Sequence, residues 1–161
     1  GGNVNSGGQR GDGSMTSPNS TAVQKCVKDA MSDARIFGQN IDYINGHLTA
    51  TSKDSLEIEN LTKALNRKGE DFPYINSLKS LVGHCLSCSG SVEAVATVLQ
   101  MYHQIVATNI NCEDLNPEII NLNSKNSIPT KMISVPINIA MKVSFGFGDV
   151  NGCVIFKKYY K

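Results

Sequence analysis

Apolar positions along this chain follow two rhythms, one helical and one alternating. From Ser20, the residues Ala22, Val23, Cys26, Val27, Ala30 and Met31 recur at helical spacing behind a Ser/Thr cap, which predicts a first amphipathic helix. "IDYIN" at 41–45 then reads as a short strand. A second helix is expected over 54–66 with Leu56, Leu61, Ala64 and Leu65 inward, and a second strand at "PYINSL", 73–78. A third helix is expected over 91–103. The tail changes rhythm: "VPINIAMKVSF" at 135–145 alternates at period two, "GFGDVNG" follows as a glycine-rich turn, and "CVIFKKYY" runs back as the other arm of a hairpin. Helices alternating with strands predict an α/β fold, a mixed and mostly parallel sheet with helices on both faces and one antiparallel strand at its end.

The third helix carries further information. Val92, Ala94, Val95, Ala96, Val98, Leu99 and Met101 surround its axis, with Glu93, Thr97 and Gln100 as polar breaks. A helix apolar nearly all round needs cover nearly all round. One sheet covers one side, so the pattern predicts another layer, from a missing half or a second chain, over the other.

Composition narrows the partners. A length of 161 residues suits one domain or half of a larger one, and 40% hydrophobic content is enough for a core. A net charge of +1 with mixed signs argues against nucleic acid and against a membrane surface. No apolar run approaches the roughly 20 residues that span a bilayer, and "GGNVNSGGQRGDG" lacks the apolar core of a signal peptide, so a cytoplasmic protein is expected. Residues 1–19, rich in glycine and serine, read as a flexible lead-in to a domain over 20–161. The cysteines at 26, 85, 88, 112 and 153 are odd in number and irregularly spaced, which predicts reduced thiols.

Candidate chemistry concentrates in "KSLVGHCLSCSG". His84, Cys85 and Cys88 are ligand types that zinc accepts, but a closed site needs four ligands and no second pair is present; no metal or cofactor is expected. A redox pair would follow a first strand, not a second. The cysteines read instead as small residues filling tight space. Lys79 closes the expected second strand, and His84 lies in the turn before the third helix, whose N-terminal field favours a neutral imidazole able to donate to an oxyanion. "INGHLTAT" repeats the arrangement one strand-helix unit earlier, with His47 after the first strand and Thr49 and Thr51 before the second helix. Adjacent parallel strands end side by side, so the two histidines can converge.

"NGHLTAT" with Asp54 and Glu57, "SLKSLVGHCLSCSG" and "VSFGFGDVNG", in that order from about Ser14 to Tyr159, resemble the C-terminal half of a β-ketoacyl-acyl-carrier-protein synthase of the elongating type. The resemblance implies a thiolase-like fold and a decarboxylative Claisen condensation of malonyl-carrier protein with an acyl thioester, in fatty-acid or polyketide-type elongation. By the same resemblance, His47 and His84 would stabilise the enolate. Lys79 would be the site lysine, Glu57 the acidic residue beside it, Thr49 and Thr51 the pair touching the pantetheine arm, and Phe147 the gating phenylalanine. The nucleophilic cysteine of such enzymes lies in an N-terminal half, so this chain by itself is expected to be inactive. Implied partners are acyl carrier protein, that other half, and a second subunit in a homodimer or heterodimer. A chain-length-factor-like subunit that binds carrier protein without condensing is the alternative.

The sequence departs from that family's pattern in two places. Leu48 stands where His-Gly-Thr has glycine, with one residue fewer between Thr51 and Asp54. Asp149 and Val150 replace glycine and threonine after Phe147, which predicts a gate of altered mobility.

Overall fold

A computed structural model describes residues 1–159; Tyr160 and Lys161, the end of the expected domain, lie outside the described residues. In chain order the elements are β1 (Gly2–Ser6), α1 (Ser20–Asp33), β2 (Tyr43–Asn45), α2 (Asp54–Leu65), β3 (Tyr74–Asn76), the single turn α3 (Lys79–Val82), α4 (Ser89–His103) and β4 (Ile105–Val106). They continue with α5 (Pro117–Leu122), β5 (Ile133–Ser134), β6 (Ile139–Gly146) and β7 (Val150–Lys157). Five strands form one sheet in the order β1-β7-β6-β2-β3, and β4 pairs with β5 separately. β2 runs parallel to both β6 and β3, whereas β6–β7 and β1–β7 are antiparallel.

Two layers of side chains position this sheet. The spacing of α1 buries Val23, Cys26, Val27, Ala30 and Met31, and its first turn is capped by Asn19, whose side chain accepts from the amide of Ala22. Together with Ile58, Leu61, Ala64 and Leu65 of α2, these residues cover Ile44, Ile75, Met141, Val143 and Ile155 on one face. Burying each Val, Leu, Ile or Met among them contributes about 1.5–3 kcal/mol. The opposite face carries Tyr43 and Ala140 against Met101, Val106 and Ile137, so helices lie on both faces as expected. No helix among the described residues is long and apolar enough to cross a membrane.

Four features differ from the sequence expectation. The lead-in expected to be flexible contains β1, paired from Gly2↔Val154 to Ser6↔Val150, so the sheet ends in two antiparallel pairings rather than one. This pairing satisfies the outer edge of β7, a requirement invisible near residue 2. The second strand ends at Asn76, and Lys79 opens a helical turn, because the amides of Ser80 and Leu81 bond back to the carbonyls of Ser77 and Leu78. The last hairpin begins at Ile139 rather than 135: Asp42 accepts from the amides of Asn138 and Ile139 and fixes that start. Finally, Cys85 and Cys88, expected to fill tight space, are exposed.

Helix α4 lies with its polar residues inward. Glu93, Thr97 and Gln100 are buried against the sheet, while Val95, Leu99 and Tyr102 are 61%, 52% and 78% exposed. The inward side is satisfied by hydrogen bonds: Gln100 donates to the Tyr43 hydroxyl at 2.7 Å and accepts from Asn76 and from the amide of Ala107. The outward apolar side is the one the sequence predicts to need another layer.

Candidate active site

His47 follows β2 on a loop whose backbone is pinned by the first turn of α2. Glu57 accepts the amides of His47 and Leu48 at 2.7 and 2.9 Å, and Asp54 accepts those of Thr49 and Ala50 at 3.1 and 3.0 Å. Two carboxylates therefore hold the turn in which Leu48 replaces glycine. Burial raises the Glu57 carboxyl to about 7, against the opposing pull of those two amides. Thr49 and Thr51 lie on the same loop with their hydroxyls 3.3 Å apart.

His84 follows β3 in the corresponding loop, after Gly83, whose φ of +77° suits glycine. The amide of Leu86 donates to its Nδ1 at 3.0 Å, and the Ser89 hydroxyl lies 3.0 Å from the same nitrogen. An Nδ1 that accepts a backbone N–H carries no proton, so the neutral ring bears its proton on Nε2.

The two imidazoles meet edge to face with centroids 5.6 Å apart, and the Phe145 ring stands 6.0 Å from His47. Phe147 is exposed at the tip of the β6–β7 hairpin. A cavity of about 390 Å³ is lined by both histidines, Thr49, Thr51, Glu57 and Phe147. A neighbouring one of about 530 Å³ shares both histidines and Phe147 and reaches Ser89 and Ser144. Lys79 lines a third cavity, which it shares with His84 and Thr49. All seven residues singled out in the sequence therefore line one or more of these three neighbouring cavities.

One assignment among them is corrected. Glu57 does not compensate Lys79; Glu93 does, with Lys79 Nζ 2.5 Å from its Oε1. The second oxygen, Oε2, lies 2.7 Å from Nζ of Lys142. Glu57 is committed to the His47 loop, while Glu93 reaches across from α4, so the acidic residue assigned by resemblance is not the partner of the lysine. Sequence reasoning missed Glu93 and Lys142 as site residues. The available signals were a carboxylate in an otherwise apolar helix and a lysine on a central strand covered on both faces. Burial, then the charges of Lys79, Lys142 and His84, lower the His47 imidazole to about 3. Among the described residues, no group of three or more His, Cys, Asp or Glu side chains is arranged to hold a metal ion.

The turn that carries Phe147 is also tethered. Asp149, with φ +64° and almost fully buried, accepts the amides of Gln9 and Asn19 at 3.2 and 2.8 Å, and the amide of Gly148 donates to the Met15 carbonyl. The segment after β1 therefore wraps the turn that carries Phe147. A Cβ at Gly7 would fall 1.8 Å from Asp149 Oδ2, so only glycine fits there.

Paired histidine loops at the ends of adjacent parallel strands, beside an aromatic hairpin, define an α/β domain of thiolase-like fold. The chain belongs to the family described as "Beta-ketoacyl synthase, C-terminal domain", which it matches over residues 1–113. It is 38% identical over 148 residues to 3-oxoacyl-[acyl-carrier-protein] synthase 2 of Vibrio harveyi, covering 89% of this chain and 34% of that protein. Synthase 1 of Haemophilus influenzae is 33% identical over 145 residues, covering 90% and 34%. The chain thus spans about a third of the length of these curated relatives. Among solved structures, a type II polyketide ketosynthase in complex with its acyl-carrier protein superposes with a TM-score of 0.85 at 28% identity, over 99% of this chain and 38% of that one. The ketosynthase from module 6 of the bacillaene synthase of Bacillus subtilis superposes at 0.87 with 20% identity, over 99% and 31%, a likeness of fold alone.

Proposed function

We propose that this chain supplies the decarboxylation half of a 3-oxoacyl-acyl-carrier-protein synthase site. The observation that carries the reading is the edge-to-face pair His47–His84, with His84 Nδ1 occupied by a backbone amide so that Nε2–H is left to donate. When a malonyl thioester loses carbon dioxide, the carbon–carbon bond breaks and its electron pair moves onto the thioester carbonyl oxygen. Neutral N–H donors act where that charge develops, each contributing about 3 kcal/mol. The lowered basicity of His47 keeps it neutral for this role.

The enolate carbon then attacks an acyl thioester held on a cysteine, forming the new carbon–carbon bond as the thiolate leaves. That cysteine would come from a preceding half. Cys26 and Cys153 are buried, and burial raises both thiols, which disfavours the thiolate a nucleophile needs. Lys79 adds positive charge beside the enolate. Thr49 and Thr51 face the pantetheine arm of an acyl carrier protein, and Phe147 gates its entry. The outward apolar side of α4 packs on the preceding half, and the whole functions as a dimer in the cytoplasm.

The test is malonyl-carrier-protein decarboxylation by the intact protein, with carbon dioxide release as the readout. Release lost in His84→Ala, with acylation of the cysteine retained by intact mass, supports the reading. Undiminished release would sink it.

A further inference from the structure

Lys142 is a charged side chain that the two-histidine chemistry does not use. It lies on β6, the strand at the centre of the sheet, and is 3% exposed. Its ammonium sits 2.7 Å from Glu93 Oε2, donates to Ser144 Oγ at 2.9 Å and also donates to the carbonyl of Val143. Glu93, 2% exposed, therefore stands between two ammoniums, Lys79 on Oε1 and Lys142 on Oε2. Oε2 accepts no directed hydrogen bond from any described residue, so the charge of Lys142 alone compensates it. Two ammoniums against one carboxylate leave the trio with a net charge of +1.

That surplus lies beside the imidazoles. The charged or titratable groups acting on His47 are Lys79 from α3, His84 from the loop after it, and Lys142 from β6. Glu57 from α2 holds the His47 amide, and Glu93 from α4 faces both lysines. Lys142 also feels Glu57, while Cys153 on β7 feels Lys142. Burial pulls the ammonium of Lys142 below its ordinary range and Glu93 opposes that pull. Two of its oxygen partners, Ser144 Oγ and the Val143 carbonyl, accept hydrogen bonds, and the third, Glu93 Oε2, faces it as an ion pair.

We infer that Lys142 is a positioning residue for the proposed reaction: its ammonium, locked on Glu93, fixes the carboxylate that aims Lys79 and adds positive charge behind the histidine pair. This rests on the reading under Proposed function, but it makes a claim about charge that can be read without turnover. Removing the ammonium leaves Glu93 Oε2 buried and uncompensated, and it leaves a space of ammonium size lined by Glu93, Ser144 and the Val143 carbonyl.

The test uses the intact protein with two variants, Lys142→Gln, which keeps size and hydrogen bonding without charge, and Lys142→Ala, which opens the space. His47 is titrated by NMR in each, its signal assigned from its loss in His47→Asn. The expected result is that the His47 midpoint rises by about one pH unit or more in Lys142→Gln. Malonyl decarboxylation is expected to fall about tenfold in both variants. Added ammonium ion is expected to restore Lys142→Ala about fivefold, with tetramethylammonium inert. A His47 midpoint that does not move overturns the inference whatever the rates do, as does failure of both variants to fold, which would make Lys142 structural only. A wild-type protein that releases no carbon dioxide but shows the His47 shift overturns the proposed function and the positioning role built on it, and leaves only the charge relation between Lys142 and His47 standing.

Discussion

His47 and His84 stand edge to face with ring centroids 5.6 Å apart because each leaves the same end of one of two adjacent parallel strands, β2 and β3. In the proposed function both donate to a single carbonyl oxygen. In the intact protein, His47→Ala and His84→Ala should each lower malonyl decarboxylation by about 10²–10³. The double variant should be little worse than either single one, because donors to one oxygen act as a unit. Carbon dioxide release measures all three.

The pH response of His47 follows from its burial. Its folded pKa, about 3, lies below the ordinary 6.5, so its contribution to stability is present above pH 6.5 and is lost as pH falls from there toward 3. The imidazole should stay neutral from pH 5 to 8, and a rate profile should show no acid limb near 6.5 from this residue. NMR titration of the ring checks the first statement, and initial rates check the second.

Glu57 has the opposite sign. Its folded pKa of about 7 lies above the ordinary 4.5, so its contribution is present below 4.5 and is lost as pH rises through 7. Glu57→Gln should flatten that part of the stability profile. It should also cost about 1–3 kcal/mol, because one of the two loop amides would face an NH₂ donor in place of an acceptor. Denaturant unfolding at pH 5 and pH 8 separates the two effects.

Asp149 and Gly7 test the tether on the turn that carries Phe147. Gly7→Ala would drive a Cβ into the Asp149 carboxylate, and Asp149→Ala would strip the acceptors from the Gln9 and Asn19 amides. Each should raise amide exchange at Gln9 and Asn19. Asp149→Ala should cost about 1 kcal/mol for the two part-buried amides left without their carboxylate acceptor.

The outward side of α4 tests the proposed covering layer. Leu99 is 52% exposed here, so Leu99→Asp should change the stability of the 161-residue chain by no more than about 0.5 kcal/mol. In the intact protein, where a preceding half is proposed to cover it, the same change should cost several-fold more, since an unpaired charge would then be buried. Paired thermal melts give the comparison.

Local pattern alone was enough for the helices and for the convergence of the two histidines. Helical spacing marked α1, α2 and α4 to within a few residues, and two strand-loop-helix units in succession implied adjacent strand ends. Motifs carried on single loops, such as His47 with Thr49 and Thr51, were legible for the same reason: their geometry is set within one turn. Three things depended on tertiary structure. β1 forms because the outer edge of β7 needs partners, and five residues rich in glycine and asparagine carry no strand rhythm of their own. Lys79 pairs with Glu93 rather than Glu57 because the packing of α4 on β6 brings that carboxylate between Lys79 and Lys142, whereas Glu57 is already spent on the loop beside it. The orientation of α4 was undetermined by a pattern apolar nearly all round. The buried hydrogen bonds offered by Tyr43 and Asn76 turn its few polar residues inward, because polar groups at that depth are stable only when paired.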